Sequence, residues 1–440
     1  MSVRPSALST GLSVTAFLAL VAFALATAGA VDPAAGAVVA GFFLLHAVFA
    51  PVARREDVPV AARLAVAAAV LACVLQLIPL PEVVRRVLAP GATAARSDLR
   101  ELGLAGAWAP ISVDVGATVY EGVLWAGAAA ALAVMARRQG PPAGARLAIG
   151  VLVALHGIAW IDRATGVNLF PLTHIEDPWG VGQKGLRGQD FSGWLINRNH
   201  WAALGLVLWP LAAGWTWSAR TVPRRVAGAT ATAGVLLSIV ATRSRAGLGI
   251  AMLQGLCVGV VLALRAPGRV RLALVAAFAV GGVLLQAPIR TFLDRIAVAD
   301  VVGRGELYGA TGRMALDSPG LGWGMGSFQS AFPAFQPDDA LYKYSHAHCD
   351  PLEWIAGAGL LGLVLVGGLL VTALRGVGAR AAPGAARLFW GLSVFGGAAA
   401  ACVEFPLQIP AVRFLWLGVL FAGPGSLRTG GAENGRSTIG

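Results

Sequence analysis

The sequence predicts an all-α, polytopic membrane protein with about twelve transmembrane helices and a long extracytoplasmic loop containing short helices, and three observations carry that prediction. Apolar residues make up 57% of the chain and charged residues only 13%, with a mean hydropathy of +0.72. Apolar runs of about 17–22 residues recur along the whole length, each enough to cross a bilayer core as a helix. Arginines gather in alternate short loops, as the positive-inside rule requires. A soluble chain would instead show helices of about 8–20 residues with polar faces. The net charge of +12 is no nucleic-acid signature, because the arginines are spread in small groups rather than gathered on one face. Cys73, Cys257 and Cys402 fall in expected spans and Cys349 outside them, with no disulfide framework and no metal-type spacing.

In chain order the spans are expected near 11–29, 34–52, 62–80, 118–136, 147–161, 200–217, 226–242, 246–264, 270–287, 353–374, 386–403 and 407–422. The first resembles a signal peptide in part, with Arg4 ahead of it and Ala26-Thr27-Ala28-Gly29-Ala30 behind. Its long apolar stretch and the spans that follow favour a retained helix. A cytoplasmic N-terminus places Arg54, Arg55 and Arg63, Arg137, Arg138 and Arg146, Arg220, Arg224 and Arg225, Arg265, Arg269 and Arg271, and Arg375, Arg380 and Arg387 on the inner side. The long polar segments 81–117, 162–199 and 288–352 then all face outward, and segments of such length are usually functional. Three parts are expected: N-terminal helices with two outer loops over 1–190, a second transmembrane unit over 191–425 that includes the loop 288–352, and a disordered cytoplasmic tail over 426–440.

Candidate chemistry collects at the outer edge. His346 and His348 stand just before an apolar run, with Asp350 and Glu353 close behind. Ionisable groups there are a functional hypothesis by default, although a helix end anchored at the headgroups would look similar. Imidazole is suited to proton transfer near neutral pH, and either carboxylate could orient it. Thr242-Arg243-Ser244-Arg245-Ala246-Gly247 lies between two spans with almost no loop. Guanidinium groups match phosphate oxygens in a bidentate way, while plain snorkelling is the competing reading. In helical backbone Arg243 and Arg245 would point to nearly opposite faces.

The third outer segment adds Arg290, Arg295, Arg304 and Arg313, then Gly322-Trp323-Gly324-Met325-Gly326. That glycine run lacks a strand–turn–helix setting, so it reads as a tight turn and not a nucleotide loop. Asn197-Arg198-Asn199-His200-Trp201 opens a span, either as a cap and interfacial anchor or as a substrate contact through Arg198 and Asn199. Glu404-Phe405-Pro406 interrupts the last apolar run, and Glu404 is read either as a buried partner of Arg413 or as a direct participant. The tryptophans are expected in interfacial belts.

These residues together resemble the O-antigen ligase and polymerase family of bacterial envelope membrane proteins. The family pattern is His, an amide or hydroxyl residue, nine residues, Gly, two residues, and Gly, Thr or Tyr. Here it reads His348, Cys349, nine residues, Gly359, Leu360-Leu361, Gly362, so Cys349 departs from it. Asn197-Arg198-Asn199, Ser244-Arg245, Arg313 ahead of Pro319-Gly320-Leu321-Gly322-Trp323-Gly324, and Glu404-Phe405-Pro406-Leu407 with Pro410 are similar too. The resemblance covers roughly 190–425.

The resemblance implies glycan transfer from undecaprenyl pyrophosphate to an acceptor hydroxyl, outside the cytoplasmic membrane and without metal, nucleotide or other cofactor. It implies that Arg245 and Arg313 hold the pyrophosphate and that His348 acts as base. Arg243 and His346 are the second choices, and Arg198, Asn199, Asp350 and Glu353 complete the candidate substrate site. The expected partners are the lipid-linked glycan donor, the bilayer, and an acceptor that is a glycan, lipid A core or a protein hydroxyl. A polymerase of the same family differs only in acceptor. A transporter or flippase would show internal repeats and charges near the bilayer midplane, which this chain does not display.

Overall fold

The structure is a computed structural model that describes residues 32–49, 59–97, 106–137, 154, 156–165, 191–265, 267–269, 300–336, 343–379 and 384–424. The spans expected at 11–29 and 270–287, and the tail 426–440, lie outside the described residues. The described chain is almost entirely helical. It runs through α1 (Pro33–Phe49), α2 (Val60–Leu77), α3 (Glu82–Leu88), α4 (Pro90–Ala94), α5 (Val115–Arg137), α6 (Arg198–Ser218), α7 (Val222–Ala241), α8 (Arg245–Arg265), α9 (Asp300–Asp317), α10 (Phe328–Ala331), α11 (Asp350–Ala358), α12 (Leu360–Gly378), α13 (Gly384–Val403) and α14 (Pro410–Ala422). Two short strands, β1 (Leu80–Pro81) and β2 (Trp108–Ala109), pair antiparallel beside α3. Among the described residues six helices are long and apolar enough to cross a membrane, namely α2, α5, α7, α8, α12 and α13, and α1 and α14 are shorter apolar helices. The protein is thus a multi-pass membrane protein.

α6 sits at the centre, packed against α7, α8 and α13. Every residue from His200 to Ala212 is buried, as expected of a helix apolar on all sides. Pro210 lies within it and has no N–H for the carbonyl of Leu206, four residues back. Gln254 of α8 fills that vacancy: its Nε2 donates to Leu206 O at 3.0 Å and to Leu392 O of α13 at 2.7 Å, and its Oε1 accepts from Trp209 Nε1 at 2.7 Å. One amide therefore stitches three helices together. Gln254→Leu is expected to lower stability by about 1–3 kcal/mol, because it strands buried polar groups in an apolar setting. Thermal unfolding in nanodiscs checks it, and an unchanged transition would mean water supplies those bonds.

The tryptophans depart from the expected interfacial belts. Trp125, Trp194, Trp201, Trp209, Trp354, Trp390 and Trp416 are buried in the bundle core. Small residues opposite make the room. A Cβ on Gly376 would come within 2.0 Å of the Trp390 ring, and one on Gly397 within 2.1 Å of Trp416. Arg413 is also reassigned. It is wholly buried and makes a bidentate pair with Glu121 of α5, at 2.7 and 2.9 Å, not with Glu404. Its Nε donates to Leu407 O, which fixes the turn ahead of α14.

At one end of the bundle the loops fold into a cap with its own core, including Ala89, Ile111, Leu307, Met314, Trp323, Phe328 and Phe332. Gln76, in the last turn of α2, joins cap to bundle. Its Nε2 donates to Leu321 O and Gly357 O at 2.6 and 2.7 Å, and its Oε1 accepts from Met325 N at 2.9 Å. The glycine run lies flat on α11, with Trp323 N donating to Ala356 O and Gly324 N to Gly357 O. It is a tight turn that brings backbone against backbone.

The span expected at 353–374 is two helices instead, α11 and α12, broken at Gly359. That residue has φ +57°, and a Cβ there would sit 2.4 Å from Pro319 O and 2.5 Å from Gly320 O. A Cβ on Gly362 would meet Trp354 O at 2.4 Å. The apolar run hides the break because both halves are apolar and only these contacts require it.

Candidate functional site

The loop before α11 is built around Glu353, which stands in that helix's first turn and reaches back. Its Oε2 accepts from Ala347 N at 2.8 Å, and its Oε1 lies 3.0 Å from His346 Nδ1. Asp350 is buried at the start of α11, and its Oδ2 accepts from Leu407 N at 2.9 Å. Burial pushes its carboxyl well above the usual carboxylate range. Asp350 therefore acts as a tie to the segment after α13. The chain between these anchors is forced into an uncommon shape, with His348 at φ +51°. Left-handed backbone at a side chain with a Cβ costs about 1–3 kcal/mol and gathers at functional sites. Arg243, at φ +52°, is the other such residue among those described.

The strained turn delivers His348 to Glu404. Their Nδ1 and Oε2 atoms are 2.9 Å apart. The second carboxylate oxygen of Glu404 accepts from Asn199 Nδ2 at 2.8 Å and from Arg304 Nη2 at 2.5 Å. Arg304 Nη1 also donates to Val403 O at 2.8 Å, and Tyr308 OH donates to His348 O at 3.0 Å. Arg304 and Tyr308 are four residues apart and share a face of α9. Three elements thus converge on one carboxylate: α6, α9 and the histidine loop.

The surroundings of Glu404 favour its ionised form. Burial raises the Glu404 carboxyl, but the hydrogen bond from His348 and the charges of His348 and Arg304 more than offset it, and the net direction is downward. Glu404 is therefore ionised and acceptor-only, so His348 donates to it from Nδ1. Nε2 of His348 makes no hydrogen bond among the described residues. Burial, the main cause, pushes the Cys349 thiol up to about 11, so it stays protonated and is no thiolate nucleophile at neutral pH. Phe405 packs between the rings, stacked on His346 at 4.3 Å and meeting His348 and the buried His200 edge-on at 4.8 and 4.6 Å.

The remaining expected residues are placed as follows. Asn197 caps α6, accepting from Asn199 N at 2.8 Å, with Arg198 half-buried beside it. Trp201 is wholly buried against His156 rather than anchored at an interface. The backbone between α7 and α8 is not helical: Ser244 Oγ accepts from Gly247 N at 3.1 Å and starts α8 afresh. Arg245 is the first residue of that helix and half-buried, while Arg243 is exposed. Arg313 is exposed on α9, nine residues past Arg304 and so about half a turn round the helix, with no hydrogen bond or ion pair among the described residues.

Arg304 and Tyr308 join the site without having been singled out for it, and Glu404 takes the direct place that was one of its two readings. Glu404 left a trace, as the acid that interrupts an apolar run. Arg304 was one of four arginines in its loop, and nothing in the sequence distinguished it.

Residues 230–367 match the family model described as O-antigen ligase. The matched segment holds Arg243, Arg245, Arg304, Tyr308, Arg313, both loop histidines, Asp350, Glu353 and the two glycines at the helix break. Asn199 and Glu404 lie outside it, one on each side, so residues flanking the matched segment complete the cluster around His348. The curated proteins contain no match to the chain.

Proposed function

We propose that the protein is an O-antigen ligase-type glycosyltransferase. It moves a glycan from undecaprenyl pyrophosphate to an acceptor hydroxyl at the periplasmic face of the bacterial inner membrane, within a twelve-span topology. The observation that carries this reading is the His348–Glu404 pair inside a chain with an O-antigen ligase segment. An imidazole held by a carboxylate at Nδ1 has Nε2 free for a hydroxyl proton.

In the proposed reaction Nε2 takes the acceptor proton as the acceptor oxygen bonds to the anomeric carbon. The bond from that carbon to the phosphate oxygen breaks, and undecaprenyl pyrophosphate leaves with the electron pair. Arg245 is assigned the charge that develops there, with Arg313, on the other face of α9 from Arg304, as its partner and Arg243 as second choice. His346 is the second choice of base, and no metal is required. Arg198, Asn199, Asp350 and Glu353 line or hold the same pocket. Neither Asp350 nor Glu353 acts on His348 directly: Glu353 holds His346 and the backbone at Ala347, and Asp350 ties the loop to Leu407. The acceptor decides between ligase and polymerase, since the same chemistry serves lipid A core, a growing polysaccharide or a protein hydroxyl.

The test is transfer by purified protein in nanodiscs, with an undecaprenyl-pyrophosphate oligosaccharide and each acceptor in turn. His348→Ala and Arg245→Ala are each expected to lower the rate about a hundredfold or more. Undiminished transfer in either variant would overturn its assignment.

A further inference from the structure

Away from the histidine pocket, the cap carries an apolar face made by α3 and β2. Val83 and Val87 of α3 are 76% and 77% exposed, and Trp108 of β2 is 67% exposed. Val84 and Arg86 are exposed beside them, whereas Arg85 turns inward and donates from Nε to Leu80 O at 3.2 Å. Pro81 pairs with Trp108, so the indole stands next to the first turn of α3. A face of three valines and a tryptophan is not one that water selects. At seven residues, α3 is also too short to cross a bilayer.

What covers this face follows from where it begins. On α2 the exposed apolar residues Val60, Leu64, Leu71, Val74 and Ile78 form one helical stripe. α2 is one of the helices of membrane length, so that stripe meets acyl chains. Five residues after Ile78 the chain presents Val83, so the stripe leads along the chain into the α3 face, with the intervening Glu82 paired to Arg86. We propose that α3 and Trp108 form a foot lodged in the headgroup–acyl boundary of the leaflet on the cap's side, its occupant phospholipid. Valines below, an indole at the rim and the exposed Arg86 held by Glu82 beside them are the chemistry which that boundary selects.

The foot is coupled to the histidine loop through backbone. Leu88 O, at the end of α3, accepts from Leu321 N at 2.8 Å. Gly320 lies so close that a Cβ there would be 2.3 Å from the same oxygen. From Leu321 the glycine run passes directly onto α11, which opens two residues after His348. The depth at which the foot rests therefore sets the depth of His348 relative to the headgroups.

The experiment places a photo-crosslinking benzophenone residue singly at Val87, Val74 or Ala334 in the full chain, in nanodiscs of phosphatidylethanolamine and phosphatidylglycerol. Ala334 is an exposed cap residue that belongs to neither α3 nor β2. Val87 is expected to label phospholipid to within about twofold of Val74, and Ala334 about tenfold less. Lipid labelling at Val74 but not at Val87 would overturn the proposal, as would crosslinking of Val87 to a second copy of the chain. Neither outcome bears on glycan transfer, so the foot can fail while the proposed activity stands.

Discussion

Glu404→Gln is expected to lower glycan transfer by about two to four orders of magnitude while leaving the protein folded. The variant keeps the size of the side chain and its bonds to Asn199 and Arg304, so packing has no reason to change. It removes the negative charge that fixes the proton of His348 at Nδ1 and steadies the imidazole when it becomes cationic. An amide can also turn its NH2 toward Nδ1, which would place the proton on Nε2 and silence the base. The measurement is initial rate beside thermal unfolding in the same nanodiscs. A rate within about threefold of wild type would show that the carboxylate is architectural.

The same group carries a pH signature. Its carboxyl is depressed in the folded protein, so its contribution to stability is complete above the ordinary carboxylate range and is lost as pH falls through the folded value. The cluster of His348, Arg304 and Asn199 around it is therefore expected to persist at neutral pH and to come apart only in acid.

Gly359→Ala is expected to cost the most stability of any single substitution considered, about 4 kcal/mol or more. Two penalties add. An alanine must hold φ +57°, and its methyl carbon must occupy space already taken by the carbonyl oxygens of Pro319 and Gly320, at 2.4 and 2.5 Å. Those are backbone atoms, fixed in turn because both accept from Leu360 N. Gly367→Ala in α12 is the control, since a Cβ there meets nothing within 4 Å and alanine favours helix. Monodisperse yield and unfolding temperature of the two variants separate a required glycine from a merely helical one. Equal behaviour would mean the turn at 319–320 can move.

Hydropathy was sufficient to find the bundle, because lipid imposes one rule on every span and the rule acts locally. Where described, α2, α5, α6, α7, α8 and α13 fall close to their expected positions. The division of α11 from α12 was hidden, since it depends on a backbone contact with residues some forty positions earlier. The tryptophans misled for a related reason. Trp390 and Trp416 are interior because glycines on other helices open space for them, and a pattern read along one helix does not see its neighbour. In the pocket, His346, His348 and Glu353 were visible by local clustering. Glu404 was visible only as an oddity, and its choice of His348 over Arg413 was decided by Glu121, nearly three hundred residues before Arg413. Ion pairs across that distance are a property of the packed bundle alone.

The pairing of Arg413 with Glu121 also constrains the order of assembly. Each side chain, alone among acyl chains, would be an uncompensated ion, and together they are neutral and bidentate. Glu121 lies in α5 and Arg413 in α14, so the pair closes only when the last described helix packs against the fifth. Removal of α14 would therefore strip α5 of the guanidinium that neutralises its buried carboxylate, and its loss is expected to be felt across the bundle rather than at one edge.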